Sequence, residues 1–272
     1  MSNVNLKKVH DFWNSESCGE RYASGESTSK KFLNEKITRY KLEPYIEKFA
    51  NFPEFKSKDV LEIGVGFGCD HSQIALENPK SLTGIDLTER AIYNTQLRFK
   101  HLGLKSSLKV DNAEKLSFDD ESFDTVYSWG VLHHSPDTEK CFEEVYRVLK
   151  PGGSAKIMIY HKFSPVGWML WIKYGFLKFK PFLSQKSIYS DYLESPGTKA
   201  YTVEEAHNLT KSFSKKEIYV QLSFADLLEG NVGVRHSGLL LRLAKFLYPK
   251  VLIKLISNIF PIGLYLFIKV KK

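Results

Sequence analysis

Along this chain, short apolar runs alternate with longer segments in which apolar residues recur every three or four positions. The runs near 58–63, 81–85, 107–110, 123–128 and 154–160 are the length of strands, and each is bounded by polar or glycine-containing turns. Between them, 69–77, 88–101 and 138–149 carry the helical period. In the last of these, Cys141, Val145 and Val148 form a packing stripe, with acids and Lys140 outside it. Lys150-Pro-Gly-Gly153 then stops the helix and turns the chain. Thr202-Val-Glu-Glu205 has the capping-box pattern that opens another helix. Residues 216–222 and 264–270 read as two further strands. This alternation predicts an α/β fold with a mostly parallel sheet and helices on both faces.

The first strand ends in an unusual way. Val60-Leu-Glu-Ile63 runs into Gly64-Val-Gly-Phe-Gly68, and His71 to Leu76 can open a helix. A glycine turn between strand and helix is where α/β sheets hold ligands, because only glycine takes positive φ freely and lets a backbone approach closely. The dinucleotide fingerprint needs G-x-G-x-x-G, and here the third glycine arrives one residue early. No Gly-Lys-Ser/Thr follows, so the turn is not a P-loop. A packing role alone is the simpler alternative. Asp86 ends the second strand, on the same rim as the glycines in a parallel sheet. It can accept both hydroxyls of a ribose or cap the next helix, and Thr88 offers a second cap.

Glu62-Ile-Gly-Val-Gly-Phe-Gly68 and Gly84-Ile-Asp86 resemble the first two motifs of class I S-adenosylmethionine-dependent methyltransferases. Three more stretches are similar to that family in order and interval: Asp111 to Val126, Ser128-Trp-Gly-Val-Leu-His-His-Ser-Pro-Asp137, and Leu149-Lys-Pro-Gly-Gly153. The likeness covers roughly 58–161. It implies a Rossmann-like seven-stranded sheet whose last strand is antiparallel, with S-adenosyl-L-methionine as cofactor. By the same resemblance, Gly64, Gly66 and Gly68 approach the cofactor's methionine part and Glu62 faces its ammonium. Asp86 and Leu87 bind the ribose end, Asn112 and the Ala113 backbone meet the adenine, and Ser128 completes the set. The family often has an acid where this chain has Asn112; an amide oxygen can still accept a hydrogen bond, and Asp111 lies one residue away. The cofactor carries the activated methyl, so the chain must align, exclude water and at times remove a proton. His133 and His134 are the candidate bases, since histidine titrates near neutrality. Tyr160 and His161, ending the fifth strand, form a second pair. One of these side chains holding a loop backbone is the plainer reading, and Trp129 either covers the cofactor or fills the core.

The flanks point to the acceptor. Residues 1–57 precede the core as an N-terminal helical cap, and 58–272 form the methyltransferase domain with insertions at about 162–200 and 224–260. Lys30 to Phe49 reads helical, with Pro44 interrupting it. In the resembled family such a segment lies over the cofactor as a lid, which would make Trp13 and Tyr22 its apolar plugs; packing on the sheet edge is the alternative. The first insertion is rich in aromatic residues interleaved with Lys173, Lys178 and Lys180. In the second, Arg242, Lys245, Lys250 and Lys254 recur along 237–260, and Pro249 splits the segment into two short helices. Three roles are open to these insertions: the roof of a hydrophobic acceptor pocket, an interfacial membrane helix, or a homodimer contact. Neither is long and uncharged enough to span a bilayer.

Composition adds three constraints. A hydrophobic share of 43% in 272 residues supports a sizeable core. Cys18, Cys69 and Cys141 are scattered, which argues against structural zinc or other metal and against a disulfide framework, and the start of the chain has no apolar signal region; the expectation is a cytoplasmic location, with membrane association left open. The net charge of +8 would suit nucleic acid or anionic lipid. Base methylation would want Asn/Asp-Pro-Pro-Tyr/Phe where Ser128-Trp-Gly stands, so nucleic acid is disfavoured. The sequence therefore predicts methyl transfer by direct in-line displacement to a small, lipophilic or aromatic acceptor. Its rivals are a nucleic-acid methyltransferase and a non-catalytic cofactor-binding scaffold.

Overall fold

The computed structural model describes residues 5–229, 246 and 248–272. Its centre is a seven-stranded sheet in the order β3-β2-β1-β4-β5-β7-β6. The strands are β1 (Asp59–Ile63), β2 (Ser81–Asp86), β3 (Ser107–Val110), β4 (Phe123–Trp129), β5 (Leu149–Tyr160), β6 (Lys215–Gln221) and β7 (Tyr265–Lys271). The pairs β1–β2, β2–β3, β1–β4 and β4–β5 are parallel. Strand β7 runs antiparallel to both its neighbours, β5 and β6. Six strands thus share one direction and the last opposes them, as the sequence predicts.

Side-chain alternation along each strand feeds two cores, one per face. Leu61, Ile63, Ile157 and Ile268 pack on one face with the predicted stripe Cys141, Val145 and Val148, carried by α6 (Thr138–Val148). Val60, Tyr127, Met158 and Phe267 lie on the other, against Ile46, Phe49 and Ile74. These come from α3 (Tyr45–Ala50) and α4 (Cys69–Leu76). The predicted break at Pro44 separates α2 (Thr28–Leu42) from α3. The capping box is present: Thr202 opens α9 (Val203–Leu209), with reciprocal bonds to Glu205.

One predicted boundary is corrected. Lys150 to Gly153 belong to β5 instead of a separate turn, because Leu149 already pairs with Phe123. The strand absorbs the extra residues as an irregularity opposite Asp124, with Gly152 at φ 77.

Chain order reverses between β1 and β4, which lie side by side in the sheet. A crevice opens beyond strand ends at such a point. The N-terminal helices α1 (Leu6–Ser15) and α2 border it on one side. On the other, the first insertion, which carries α7 (Pro165–Tyr174) and α8 (Gln185–Ile188), reaches the lining residue His134 through Glu194, Ser195 and Thr198. Of the second insertion, α10 (Lys250–Ser257) begins directly after Pro249; residues 237–245 and 247, with Arg242 and Lys245, lie outside the described residues.

Candidate active site

The crevice is lined by the loops that follow four adjacent parallel strands: Glu62 to Phe67 after β1, Asp86 to Thr88 after β2, Asp111 to Ala113 after β3, and Trp129 to Ser135 after β4. Leu6, Val9, Trp13 and Cys18 of the N-terminal segment close one wall. Of the residues singled out in the sequence, Glu62, Gly64, Gly66, Asp86, Leu87, Asn112, Ala113 and His134 line it. His133, Tyr160, Gly68 and Ser128 stand outside the lining. Ser128 is fully buried and its hydroxyl donates to the Ile63 carbonyl, tying β4 to β1.

All three glycines of the turn take positive φ, yet their missing side chains make room for the protein itself. A Cβ on Gly64 would lie 2.1 Å from Val131 Cγ2, and one on Gly66 would press the Cys18 carbonyl at 3.2 Å. The turn is thus wedged between the loop after β4 and the N-terminal segment. Its Gly66 N–H donates to Asp86 Oδ2 at 3.1 Å. The other Asp86 oxygen accepts from Thr88 N and Oγ1 at 3.0 and 2.9 Å. Thr88, with its Oγ1 accepting from Ala91 N, is the N-cap of α5 (Glu89–Leu102). Crowding by the crevice wall raises the Asp86 carboxyl above its ordinary range, and these hydrogen bonds act against that rise.

Glu62 is almost fully buried, and its Oε2 lies 2.8 Å from His71 Nδ1. His71 Nε2 is 2.7 Å from Ser106 Oγ, which itself donates to the Leu82 carbonyl. With the single Ser106 hydroxyl proton on the Leu82 carbonyl, His71 Nε2 donates to Ser106. Its Nδ1 then accepts, and Glu62 supplies the proton between them. The electrostatics agree: burial pushes His71 down to about 3. Burial and the neighbouring Asp70 hold Glu62 well above the carboxylate range. The crevice therefore carries a neutral carboxylic acid above β1.

The loop after β3 is internally bonded. Asp111 accepts from Asn112 N, Ser117 N and Ser117 Oγ. The Asn112 amide oxygen accepts from Glu114 N at 2.9 Å, and Ala113 presents a small apolar surface beside them.

The two histidines differ sharply. His133 is fully buried, both of its ring nitrogens lack a hydrogen-bond partner, and its ring lies 4.0 Å from that of Tyr160. Burial, with His134 and Lys199 adding to it, pushes its titration far below neutrality. His134 faces the crevice under the edge of Trp13, ring centroids 5.1 Å apart. Its Nδ1 hydrogen-bonds Ser195 Oγ at 2.8 Å and Thr198 Oγ1 at 3.2 Å. Its Nε2 lies 3.4 Å from Glu194 Oε2, an oxygen that also accepts from Tyr160 at 2.7 Å. Burial would raise Glu194, but the nearby His134 ring and the hydrogen bond from Tyr160 bring it below the usual range. His161 is turned away, with Nδ1 donating to the carbonyls of Phe163 and Gly263.

Sequence reasoning passed over Arg39, Asp70 and Glu194. Arg39 of α2 forks onto Asp70 at 3.0 and 2.7 Å, and Tyr40 and Tyr127 donate to the same carboxylate. Against its burial, Arg39 and these hydroxyls keep Asp70 ionised. An acid in the first turn of a glycine-started helix was the available signal for Asp70. Glu194 had none, since its position depends on how the insertion folds back.

A family model described as a methyltransferase domain matches residues 61–157. Over that stretch the chain is similar to the methyltransferase family, whose motifs its crevice loops carry. Phosphoethanolamine N-methyltransferase 2 of Caenorhabditis elegans is 37% identical over 119 residues, covering 43% of this chain and 26% of the relative. Sterol 24-C-methyltransferase of Pneumocystis carinii is 32% identical over 135 residues, covering 49% and 33%. The tRNA U34 carboxymethyltransferase of Nautilia profundicola is 37% identical over 100 residues, covering 36% and 33%. The chain thus spans about a quarter to a third of the length of these curated relatives. Among solved structures, an S-adenosylmethionine-dependent methyltransferase from Mesorhizobium loti aligns over 84% of this chain and 97% of its own, with TM-score 0.56 and 15% identity. Phosphoethanolamine N-methyltransferase 2 of Haemonchus contortus, in complex with S-adenosylhomocysteine, aligns over 97% and 59%, with TM-score 0.55 and 20% identity. At these identities the structural matches speak for the fold.

The cofactor of class I methyltransferases is S-adenosylmethionine, and the crevice has the matching chemistry. Acids stand above three successive strands, as Glu62, Asp86 and Asp111, and apolar Ile85, Leu87, Ala113 and Val131 lie among them. Such a row offers acceptors to an ammonium, a diol and a base amine, with apolar surface for a ring.

Proposed function

We propose that this chain transfers a methyl group from S-adenosylmethionine to a small, lipophilic or aromatic acceptor by direct in-line displacement. The observation that carries the reading is the Asp86 carboxylate. It is fixed by Gly66 and Thr88 at the mouth of a crevice that continues to His134. When bound, the cofactor supplies an electrophilic methyl on a sulfonium centre. Glu62 would meet its ammonium, Asp86 and Leu87 its ribose, and Asn112 and Ala113 its adenine. Trp13 and the N-terminal segment would exclude water.

The acceptor's proton has one well-placed destination, His134 Nε2. His134 lines the crevice, and Glu194, whose Oε2 lies 3.4 Å from that nitrogen, would stabilise the resulting imidazolium. Tyr160 holds Glu194 in place. His133, buried and neutral, would set the ring of His134 instead of contacting the acceptor. A small acceptor accords with the phosphoethanolamine relative and a lipophilic one with the sterol relative, and membrane contact would bring a lipophilic acceptor within reach. The tRNA relative keeps nucleic acid as an outcome of the test. One neighbour of the fold is titled a [4+2]-cyclase, a reminder that fold does not dictate reaction.

Titration calorimetry with S-adenosylhomocysteine tests the cofactor site. Asp86→Ala should weaken binding about tenfold or more, the cost of losing a hydrogen-bonded charge, and Gly66→Val should abolish it. Unchanged affinity in both would sink the assignment. Methyl-label transfer in extract, resolved into lipid, nucleic-acid and small-molecule fractions, tests the acceptor. Label confined to nucleic acid would overturn the lipophilic reading, and label nowhere would favour a scaffold.

A further inference from the structure

Helix α10 is inside out. Val251, Leu252, Leu255 and Ile259 follow the spacing of a single helical face, and all four are exposed. None of the helix's residues is buried. A second exposed apolar group stands on the first insertion: Phe176 and Leu177 after α7, then Phe179 and Phe182, which are 96% and 98% exposed. Among the described residues, these two groups hold eight of the twenty exposed large apolar side chains, including the two most exposed. Single exposed apolar residues need no explanation, but such a concentration marks an interaction surface.

Both segments are rooted at one point. The buried Asp226 carboxylate accepts from Val166 N at the start of α7 and from Leu264 N just before β7. Its carbonyl accepts from Tyr248 OH, two residues before α10. Gly263 N donates to the Phe163 carbonyl. This node sits where Tyr160 of β5 pairs with Tyr265 of β7, the rim of the sheet onto which the crevice opens.

Charge selects the occupant. Residues 162–190 and 230–272 contain no Asp or Glu. Lys173, Lys178, Lys180, Lys186, Lys250 and Lys254 stand among or beside the exposed apolar residues. A protein partner burying this surface would have to bring its own acids. An anionic bilayer meets both demands at once, taking bulky apolar side chains below its headgroups and holding lysines at its surface. We propose that Phe176–Phe182 and α10 together dock this protein on an anionic membrane, with the crevice rim facing the lipid. The docking stands whether or not the acceptor proves to be a lipid.

Vesicle co-sedimentation of the full chain tests it, using phosphatidylcholine alone and phosphatidylcholine with phosphatidylglycerol. Expected is at least tenfold tighter binding to the anionic vesicles, falling steeply with added salt. The double variant Phe179→Asn, Phe182→Ser should lose tenfold or more, as should Leu255→Ser, Ile259→Ser. These residues are exposed, and an unchanged thermal melt with unchanged S-adenosylhomocysteine affinity would show that fold and cofactor site are intact. No binding to anionic vesicles, equal binding to neutral ones, or indifference to both variants would overturn the proposal. So would a vesicle-independent dimer on size exclusion that the same variants dissociate, since that would assign the surface to a second copy.

Discussion

A buried acid that faces a ligand site must settle its proton before the ligand arrives, and Glu62 does so through His71 and Ser106. The relay leaves Glu62 protonated, with burial raising it and Asp70 adding to that rise. An incoming ammonium reverses the balance, because a positive charge favours the carboxylate. Cofactor or S-adenosylhomocysteine binding near pH 7 should therefore release a proton to the buffer. Calorimetry in two buffers of different ionisation enthalpy should give different apparent enthalpies, and Glu62→Gln should remove the difference. Equal enthalpies for the unmodified protein would mean that Glu62 is already ionised. Part of this was legible in the sequence, which marks Glu62, the glycines and Asp86 by their spacing from a strand end. The protonation was not, because His71 and Ser106 belong to other elements and meet Glu62 only once β1, β2 and α4 are packed. The glycines were read as space for a ligand, and the space at Gly64 is taken by Val131, a contact between loops 67 residues apart that no local pattern reports.

At the scale of elements, the N-terminal helices are held to the core by a buried ionic clamp. Arg39 of α2 binds Asp70 of α4 through two hydrogen bonds, and Arg39 also approaches Glu43, which accepts from Tyr265. Removing one partner of such a pair leaves a buried charge unmatched, at a cost of about 3–5 kcal/mol. Asp70→Ala should lower the thermal midpoint by many degrees, and Arg39→Ala should do likewise. Exposed Lys80→Ala, which breaks only a surface pair with Asp59, should change it little. A melt indifferent to Asp70→Ala would show that the N-terminal helices do not depend on the clamp. The helices themselves were readable: Thr88 and Thr202 cap as their sequence patterns indicate, and Pro44 breaks where its missing N–H requires. Strand β5 was misjudged at its start because a Pro-Gly-Gly turn and a bulged strand entry look alike until Leu149 finds Phe123.

For the molecule as a whole, the periodicities of the central sheet were strong, since β1, β4 and the second half of β5 are buried on both faces. The insertions were harder. Their apolar residues suggested a roof over the site, whereas much of that surface is exposed. This uneven burial should appear in amide exchange: the amides of β4 and β5 should be the slowest, and those of Lys250–Ser257 faster by orders of magnitude. Anionic vesicles should slow the helix and leave the strands unaffected; protection of the helix equal to that of the strands without lipid would contradict its exposure. No helix among the described residues is long and apolar enough to cross a membrane. The reversal of β7 has a practical corollary. Because this strand starts at the crevice rim beside Tyr160 and ends beside Ser154, Lys272 lies at the opposite pole of the sheet, where its N–H reaches the Gly153 carbonyl. A sensor chip or a fluorophore coupled there would leave the crevice and the exposed aromatic residues pointing into solution.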